Sequence, residues 1–163
     1  MPNEREVELR PISARDLPFL VRSGLDRERV GVQYGADEYR KQYRIAPMRF
    51  FNKLTRTQSF IIWVEGQRAG YVGLNPLSTN IEYYLQPWAR GGTGGRALSA
   101  FLQRSLPFEV ERSAFMIGSN ERSQAVMRSA LVGCGLVSGV DFEEYEIDGY
   151  RGFTVRSGVP NRT

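Results

Sequence analysis

A chain of 163 residues, 41% of them hydrophobic, predicts one folded domain over residues 1–163. A disordered chain is a poor interpretation, because such chains contain fewer hydrophobic residues. The absence of histidine excludes Ser-His-Asp and Cys-His catalysis and the common histidine zinc sites, and we expect no metal centre. The net charge of +4 suits a polyanionic ligand but leaves open a nucleic acid, a phosphorylated cofactor or no partner at all.

The first third of the chain predicts a strand followed by two helices. Apolar and polar residues alternate over Val7–Ile12, which is typical of a half-buried strand. Ser13 is the expected N-cap of a helix that runs to about Leu25, with Asp16 at the third helical position. An apolar stripe at helical spacing predicts a second helix over residues 36–53, which Pro47 kinks or splits.

Three strands are predicted next. Residues 59–64 form an apolar run, and a short turn at 65–67 leads into a hairpin partner at 68–74. A further strand is predicted over 80–86, where Pro87 ends it because proline has no N–H for a ladder.

The last part alternates helices with strands. Helical spacing predicts a helix over 96–106, and a short apolar run predicts a strand over 112–117. Asn120 is the expected N-cap of a helix to about Val132, with its inward face at Ala125, Val126 and Leu131.

A closing hairpin ends the predicted fold. Its strands cover about residues 140–147 and 150–155, and Asp148-Gly149 between them is a strong type I′ turn signal. We expect the tail, residues 157–163, to be frayed. The order of elements predicts an α/β domain built on a mixed sheet.

The sequence also indicates a compartment. No apolar run approaches the roughly 20 residues that cross a bilayer, and the charged N-terminal segment has no apolar stretch typical of a secretory signal. The single cysteine, Cys134, cannot form an internal disulfide, which fits a reducing environment. We expect a cytoplasmic protein without a membrane partner.

A glycine-rich loop, Trp88–Leu98, stands between a predicted strand and a predicted helix. Its glycines permit positive φ and leave backbone amides accessible, and the helix dipole behind them favours a phosphate. Arg90 and Arg96 add positive charge. No Gly-Lys-Ser/Thr follows, which excludes a P-loop, and the late position excludes a Rossmann turn. The alternatives are a flexible loop and an RNA-contacting RGG segment.

The segment Tyr84–Leu98 resembles the acetyl-CoA-binding motif of the GNAT acetyltransferases, Arg/Gln-x-x-Gly-x-Gly/Ala. Arg90 and Gly95 match its outer positions, whereas Thr93 replaces the central glycine. The resemblance implies a GNAT-like fold with a seven-stranded mixed sheet and about four helices, and acetyl-CoA as co-substrate. The cofactor-binding residues that it implies are Tyr84, Leu85, Gln86, Arg90, Gly91, Gly92, Thr93, Gly94, Gly95, Arg96, Asn120 and Ser123.

A second segment resembles the RimJ/RimL-type ribosomal-protein N-acetyltransferases. Gly118–Val126 is similar to their Asn-x-x-Ser-x-x-Val helix start, with Asn120 and Ser123 at the marked positions. Many GNAT enzymes carry an acid tyrosine seven residues after the asparagine, but Met127 stands there. The resemblance therefore implies Ser123 as the acid, although a first-turn serine also serves to satisfy backbone groups.

The resemblance also bears on the oxyanion and on the base. A backbone amide in Tyr84–Gln86, where the fourth strand is expected to separate from the fifth, would polarise the thioester carbonyl. Glu144 aligns with the RimL-like base by its spacing to Tyr150. Glu82 is the rival, on the opposite strand face from the usual GNAT glutamate. Either acid could instead be a solvated strand residue.

The predicted function is acetyl transfer from acetyl-CoA to a primary amine by direct attack in a ternary complex. One alternative is a non-catalytic acyl-CoA-binding module on a degenerate fold, and another is acetylation of aminoacyl-tRNA, suggested by basic residues over 40–56. Residues 30–56 are expected to form one wall of the acceptor site. The sequence decides neither the acceptor nor whether the chain forms a homodimer.

Overall fold

The computed structural model describes residues 5–24, 58–75 and 78–162. Within these ranges the chain forms seven strands and three α-helices. In chain order they are β1 (Val7–Pro11), α1 (Leu17–Gly24), β2 (Ser59–Val64), β3 (Gln67–Leu74), β4 (Ile81–Leu85), α2 (Thr93–Ser105), β5 (Arg112–Ile117), α3 (Glu121–Gly133), β6 (Phe142–Ile147) and β7 (Tyr150–Val155). The α/β class and the seven strands are confirmed, and the predicted helix over 36–53 lies outside the described residues.

The strands divide into two antiparallel sheets rather than one mixed sheet. The first sheet has the order β1-β2-β3-β4, and the second has the order β5-β7-β6. They meet at one parallel bridge between Asn80 and Ser113, where the Ser113 N–H donates to the Thr79 carbonyl at 3.0 Å. The predicted parallel pairing is thus reduced to a single contact, because β4 and β5 diverge beyond it.

Local signals set the ends of several elements. Asp148 and Gly149 have φ values of 50° and 78°, so both central residues of the β6–β7 turn are left-handed, as a type I′ turn requires. Ser13 begins a 3₁₀ turn, Ala14–Asp16, and α1 follows only at Leu17. The Asp16 carboxylate accepts from the N–H of Ser13 at 2.8 Å and from Arg68 on β3 at 2.7 Å, which fastens this turn to the sheet.

Apolar residues on both faces of the first sheet form the core. On one face α2 buries Leu98, Phe101 and Leu102 completely, against a cluster that extends to the second sheet. On the other face Leu20 of α1 packs with Tyr71 and neighbouring strand residues. None of the helices in the described ranges is long and apolar enough to cross a membrane.

The inward face of α3 differs from the predicted one. Leu131 is buried as expected and Val126 is half-buried, but Ala125 is exposed. Gln124 and Met127 take the inward positions instead. The Gln124 side-chain amide donates to the Gly118 carbonyl at 2.9 Å. This hydrogen bond allows polar Gln124 to take the buried place that the hydrophobic pattern had predicted for Ala125.

The C-terminal tail is held against the body of the chain, in contrast to the expected fraying. Arg162 donates to both carboxylate oxygens of Asp141, at 2.9 and 3.0 Å, and Asp141 is buried. The Gly158 N–H donates to the Phe108 carbonyl at 2.9 Å. This tail has charged and backbone anchors, which its polar composition does not reveal.

Candidate active site

A cavity opens where β4 and β5 separate beyond the Asn80–Ser113 bridge, and we call it the β4–β5 cavity. Its volume is about 300 Å³. It is lined by residues 81–85 of β4, Arg90, Gly91, Gly92 and Gly94 of the glycine-rich loop, residues 114–116 of β5, and Asn120, Arg122, Ser123, Val126 and Met127 at the start of α3. Two edge strands, one helix start and one loop therefore converge on a single space.

The glycine-rich loop leads into α2 earlier than predicted. The helix begins at Thr93 instead of residue 96, with Gly92 as its N-cap. Gly91 and Gly92 have φ values of 98° and 90°, which favour glycine. The N–H groups of the first turn have no acceptor inside the helix. They form a site suited to a phosphate, with the positive end of the helix dipole behind it.

Thr93 does not obstruct this site. The whole residue is 1% exposed and does not line the β4–β5 cavity, and its hydroxyl has no hydrogen-bond partner within the described residues. At the next position, a Cβ on Gly94 would lie 3.1 Å from Leu85 Cδ1, so the end of that side chain would have to shift slightly. Glycine at position 94 therefore permits the close approach between α2 and β4.

The amides of β4 point alternately to its two neighbours. In an antiparallel pair every second residue directs its N–H to the partner strand. The Gln86 N–H donates to the Ala69 carbonyl at 2.7 Å, so even-numbered residues of β4 face β3. The N–H groups of Tyr83 and Leu85 face β5, with which β4 forms no ladder. Of the predicted Tyr84–Gln86 stretch, only Leu85 directs its amide into the opening, and the sequence did not single out Tyr83.

The two arginines of the glycine-rich loop border different grooves. Arg90 lines the β4–β5 cavity. Arg96 lies along a second groove between α2 and α3, which Ser99 and Ser129 also line. Both positions are next to the first turn of α2, so positive charge is present on two sides of the amides.

The start of α3 brings Asn120 and Ser123 to the cavity. Asn120 caps the helix as predicted, because its Oδ1 accepts from the Ser123 N–H at 3.2 Å. Ser123 and Tyr83 both line the cavity, and Ser123 is close enough to influence the Tyr83 hydroxyl. Burial raises the pKa of Tyr83 above its usual value, although Ser123 and Arg122 partly offset the shift. Met127 is buried one turn further along the helix.

Glu82 is a buried carboxylate in the cavity wall. It is 7% exposed, and the Asn75 side-chain amide donates to its Oε1 at 2.9 Å. Strand alternation places it on the same face of β4 as Tyr84, opposite Tyr83. Beyond the Asn80–Ser113 bridge, β5 does not pair with β4, and residues from both faces of β4 line the cavity. Glu82 therefore borders the opening even though it lies on the opposite face from Tyr83.

Glu144 lies outside the β4–β5 cavity, on β6. Arg128 of α3 donates to both of its carboxylate oxygens, at 2.6 and 2.8 Å. The hydrogen bond from Arg128 holds the pKa of Glu144 below its ordinary value of 4.5, against a smaller opposing effect of burial. The structure therefore brings Glu82 and Ser123 together around one cavity and pairs Glu144 with an arginine elsewhere.

The variant Glu144→Gln is expected to lose less stability than the wild type as the pH falls into the acid range. Because the folded pKa is lowered, the pair contributes stability that is present above pH 4.5 and is lost as the pH falls through the folded pKa. Arg128 is half-exposed, so screening keeps the contribution below about 1 kcal/mol. Melting temperatures from about pH 7 to about pH 3 measure the difference between variant and wild type, which should close at low pH. A constant difference across this range would contradict the pairing.

A splayed strand edge followed by a glycine loop and a helix N-terminus defines the N-acetyltransferase fold of the GNAT superfamily. Comparison with solved structures confirms that the chain has this fold. No protein-family model matches the sequence, and no curated protein matches it either.

Three solved structures show how far the likeness extends. Spermidine N-acetyltransferase from Vibrio cholerae, solved with CoA and spermine, gives a TM-score of 0.64 at 12% identity over 93% of this chain and 95% of that chain. RimL, the ribosomal L7/L12 α-N-protein acetyltransferase, solved with coenzyme A, gives 0.64 at 14% identity over 93% and 94%. Aminoglycoside acetyltransferase AAC(6')-Ib, solved with ribostamycin and coenzyme A, gives 0.65 at 17% identity over 93% of both chains. These scores do not set RimL apart from the others, so the nearness to RimJ/RimL stays a prediction.

Proposed function

We propose that this protein is an acetyl-CoA-dependent N-acetyltransferase that acts on a primary amine. The observation that carries the proposal is the β4–β5 cavity, which has unpaired helix-start amides at one end and a buried carboxylate in its wall. The three neighbours described above were each solved with CoA. Their names refer to spermidine, a protein N-terminus and aminoglycosides, all of which are amines.

The residues present suit acetyl-CoA as the acetyl donor. The amides of Thr93, Gly94 and Gly95, with Arg90 and Arg96 beside them, would hold the pyrophosphate. The N–H groups of β4 that face β5 lie along the same opening. They would donate hydrogen bonds to the pantetheine arm, which would take the place of a neighbouring strand. Thr93 is buried and does not line the β4–β5 cavity, so its replacement of glycine leaves the site open.

The chemistry requires a base and a donor to the developing oxyanion. A lysine-like amine, with a pKa of about 10.4, is mostly charged at neutral pH and must lose a proton before it attacks. We infer that Glu82 takes this proton, because it lines the cavity, whereas Glu144 is held by Arg128 outside it. The amide of Tyr83 or Leu85 donates to the carbonyl oxygen as the negative charge develops.

The two alternatives rest on different parts of the chain. A non-catalytic acyl-CoA-binding module was suggested by Thr93 and by the missing helix tyrosine, and burial of the Thr93 side chain removes the first reason. Acetylation of aminoacyl-tRNA was suggested by basic residues over 40–56, which lie outside the described residues. The expected acceptor wall over 30–56 lies outside them as well.

A thermal-shift titration combined with a CoA-release assay tests the proposal. Acetyl-CoA at about 100 times its dissociation constant should stabilise the protein by about 2.7 kcal/mol through mass action. The assay then follows free thiol with a panel of spermidine, an aminoglycoside, a peptide N-terminus and aminoacyl-tRNA. No stabilisation by acetyl-CoA would overturn the proposal, and stabilisation without thiol release from any amine would favour the binding module.

A further inference from the structure

We propose that the Tyr83 hydroxyl, which shares the cavity with Ser123, donates a hydrogen bond to the sulfur of the CoA thiolate as it leaves. The inference rests on the proposed function and adds a second role for a residue that the sequence did not single out. Tyr83 would then serve the reaction through its side chain on one side of β4, while its amide faces the opening between the strands.

Three elements fix the Tyr83 hydroxyl at this place. The residue belongs to β4, and it lines the same cavity as Ser123 in the first turn of α3. The Ser123 backbone is held by the Asn120 cap. On the α2 side, the ring edge of Tyr83 lies 3.9 Å from where a Cβ on Gly94 would stand. The ring of Tyr83 is thus packed between β4 and the starts of two helices, and a donor whose position is fixed needs no rearrangement when charge develops.

The surroundings make this hydroxyl pair chemically useful. Val126, Met127, Ala114 and Met116 give the cavity apolar walls. A thiolate that forms there loses hydration, so each polar hydrogen that reaches it stabilises it more than water would. Burial raises the pKa of Tyr83, which keeps the phenol protonated throughout the neutral range. It therefore acts as a hydrogen-bond donor and does not compete as an anion.

The step balances without any further reactant. Glu82 first takes one proton from the ammonium form of the amine and passes it to solvent. The neutral amine nitrogen then attacks the thioester carbonyl carbon, the carbonyl electron pair moves to the oxygen, and the second proton that the nitrogen loses passes to Glu82. The C–S bond then breaks, and the electron pair goes to the sulfur, where the hydroxyl of Tyr83 donates its hydrogen bond. The thiolate takes its final proton from water, and the proton on Glu82 returns to solvent. Tyr83 keeps its own proton, so no residue is consumed.

The first test uses the complex with CoA and needs no acceptor. A donor to sulfur stabilises the thiolate, so wild-type protein should lower the pKa of the bound CoA thiol below that of free CoA. The variant Tyr83→Phe keeps the backbone amide and the ring and loses only the hydroxyl. It should raise the thiol pKa in the complex by about one pH unit, followed by thiolate absorbance in a pH titration. An unchanged thiol pKa in Y83F would overturn the inference.

The second test separates the hydroxyl's chemical role from a structural one. With an amine acceptor, Y83F should lower kcat by about 100-fold while the KM for acetyl-CoA stays near the wild-type value. In a double-mutant cycle with Ser123→Ala, the two losses should be far from additive, because the hydroxyls act as a pair. The matched control is Tyr145→Phe, which removes a hydroxyl from a ring packed on Phe115, with Tyr145 outside the cavity lining.

The outcomes distinguish the two levels of the proposal. If the wild-type protein binds no CoA, the proposed function itself is wrong. If it binds CoA and Y83F shows the wild-type thiol pKa and kcat, the function stands and the role of Tyr83 is wrong. If Y83F raises KM for acetyl-CoA with kcat unchanged, Tyr83 contributes only to binding, which also overturns the role.

Discussion

Glu82→Gln is expected to slow acetyl transfer by about 100- to 10,000-fold while acetyl-CoA affinity stays close to the wild-type value. Glutamine keeps the size of the side chain and an oxygen that can accept from Asn75, so the cavity wall should be preserved. The variant loses the capacity to take a proton from the amine. Its kcat should recover in part at high pH, where the amine is deprotonated without help.

Two further variants make this prediction decisive. Glu143→Gln is the matched control, because Glu143 is an exposed acid that pairs with Arg156 away from the cavity. Glu144→Gln tests the rival base and should retain most of the activity. Steady-state rates across a pH series measure all three. The opposite result, a large loss of activity in E144Q with E82Q still active, would identify Glu144 as the base. The inference that Glu82 is the base because it lines the cavity would then be wrong.

Signals within a few residues predicted much of the fold. The Asp148-Gly149 turn is an example, because two adjacent residues that accept positive φ determine the hairpin by themselves. The Asn120 cap is another, since its side chain bonds an N–H only three residues away. In both cases the physical cause and its effect lie in the same short segment, so a sequence pattern contains them completely.

The parts that escaped prediction depend on distant contacts. Nothing in β4 or β5 alone states that they pair at one bridge and then diverge, because the divergence depends on how the two sheets pack. The pairing of Arg128 with Glu144 joins a helix to a strand 16 residues later. The spacing that aligned Glu144 with the base contains no sign of this ion pair.

The same limit applies to the hydroxyl pair in the cavity. Tyr83 reads in the sequence as one more aromatic strand residue, and its partner Ser123 lies in another element. The signal that was available was indirect. Many GNAT enzymes have an acid tyrosine at the α3 position that Met127 occupies here, and methionine has no hydroxyl. A tyrosine on a neighbouring strand was therefore worth searching for in the sequence.

The glycine loop gives the second large effect, through a variant that deletes one amide hydrogen. Gly95→Pro is expected to raise the dissociation constant of CoA by about 10- to 100-fold, the loss of one hydrogen bond to a charged group. Gly95 lies in the first turn of α2, where proline is tolerated because the N–H has no helical acceptor. A Cβ at this position meets nothing within 4 Å, so this part of the proline ring adds no close contact.

The control for this variant stands at the same residue. Gly95→Ala also adds a Cβ but keeps the N–H, so it should bind CoA with an affinity near the wild-type value, measured by isothermal titration calorimetry. Acetyl-pantetheine, which lacks the adenosine and pyrophosphate, should bind both variants equally. The two substitutions differ at the amide, and the two ligands differ at the phosphates. An affinity loss that appears only when proline meets the full cofactor therefore assigns the amide to the pyrophosphate, whereas an equal loss with acetyl-pantetheine would mean that the proline distorts the cavity.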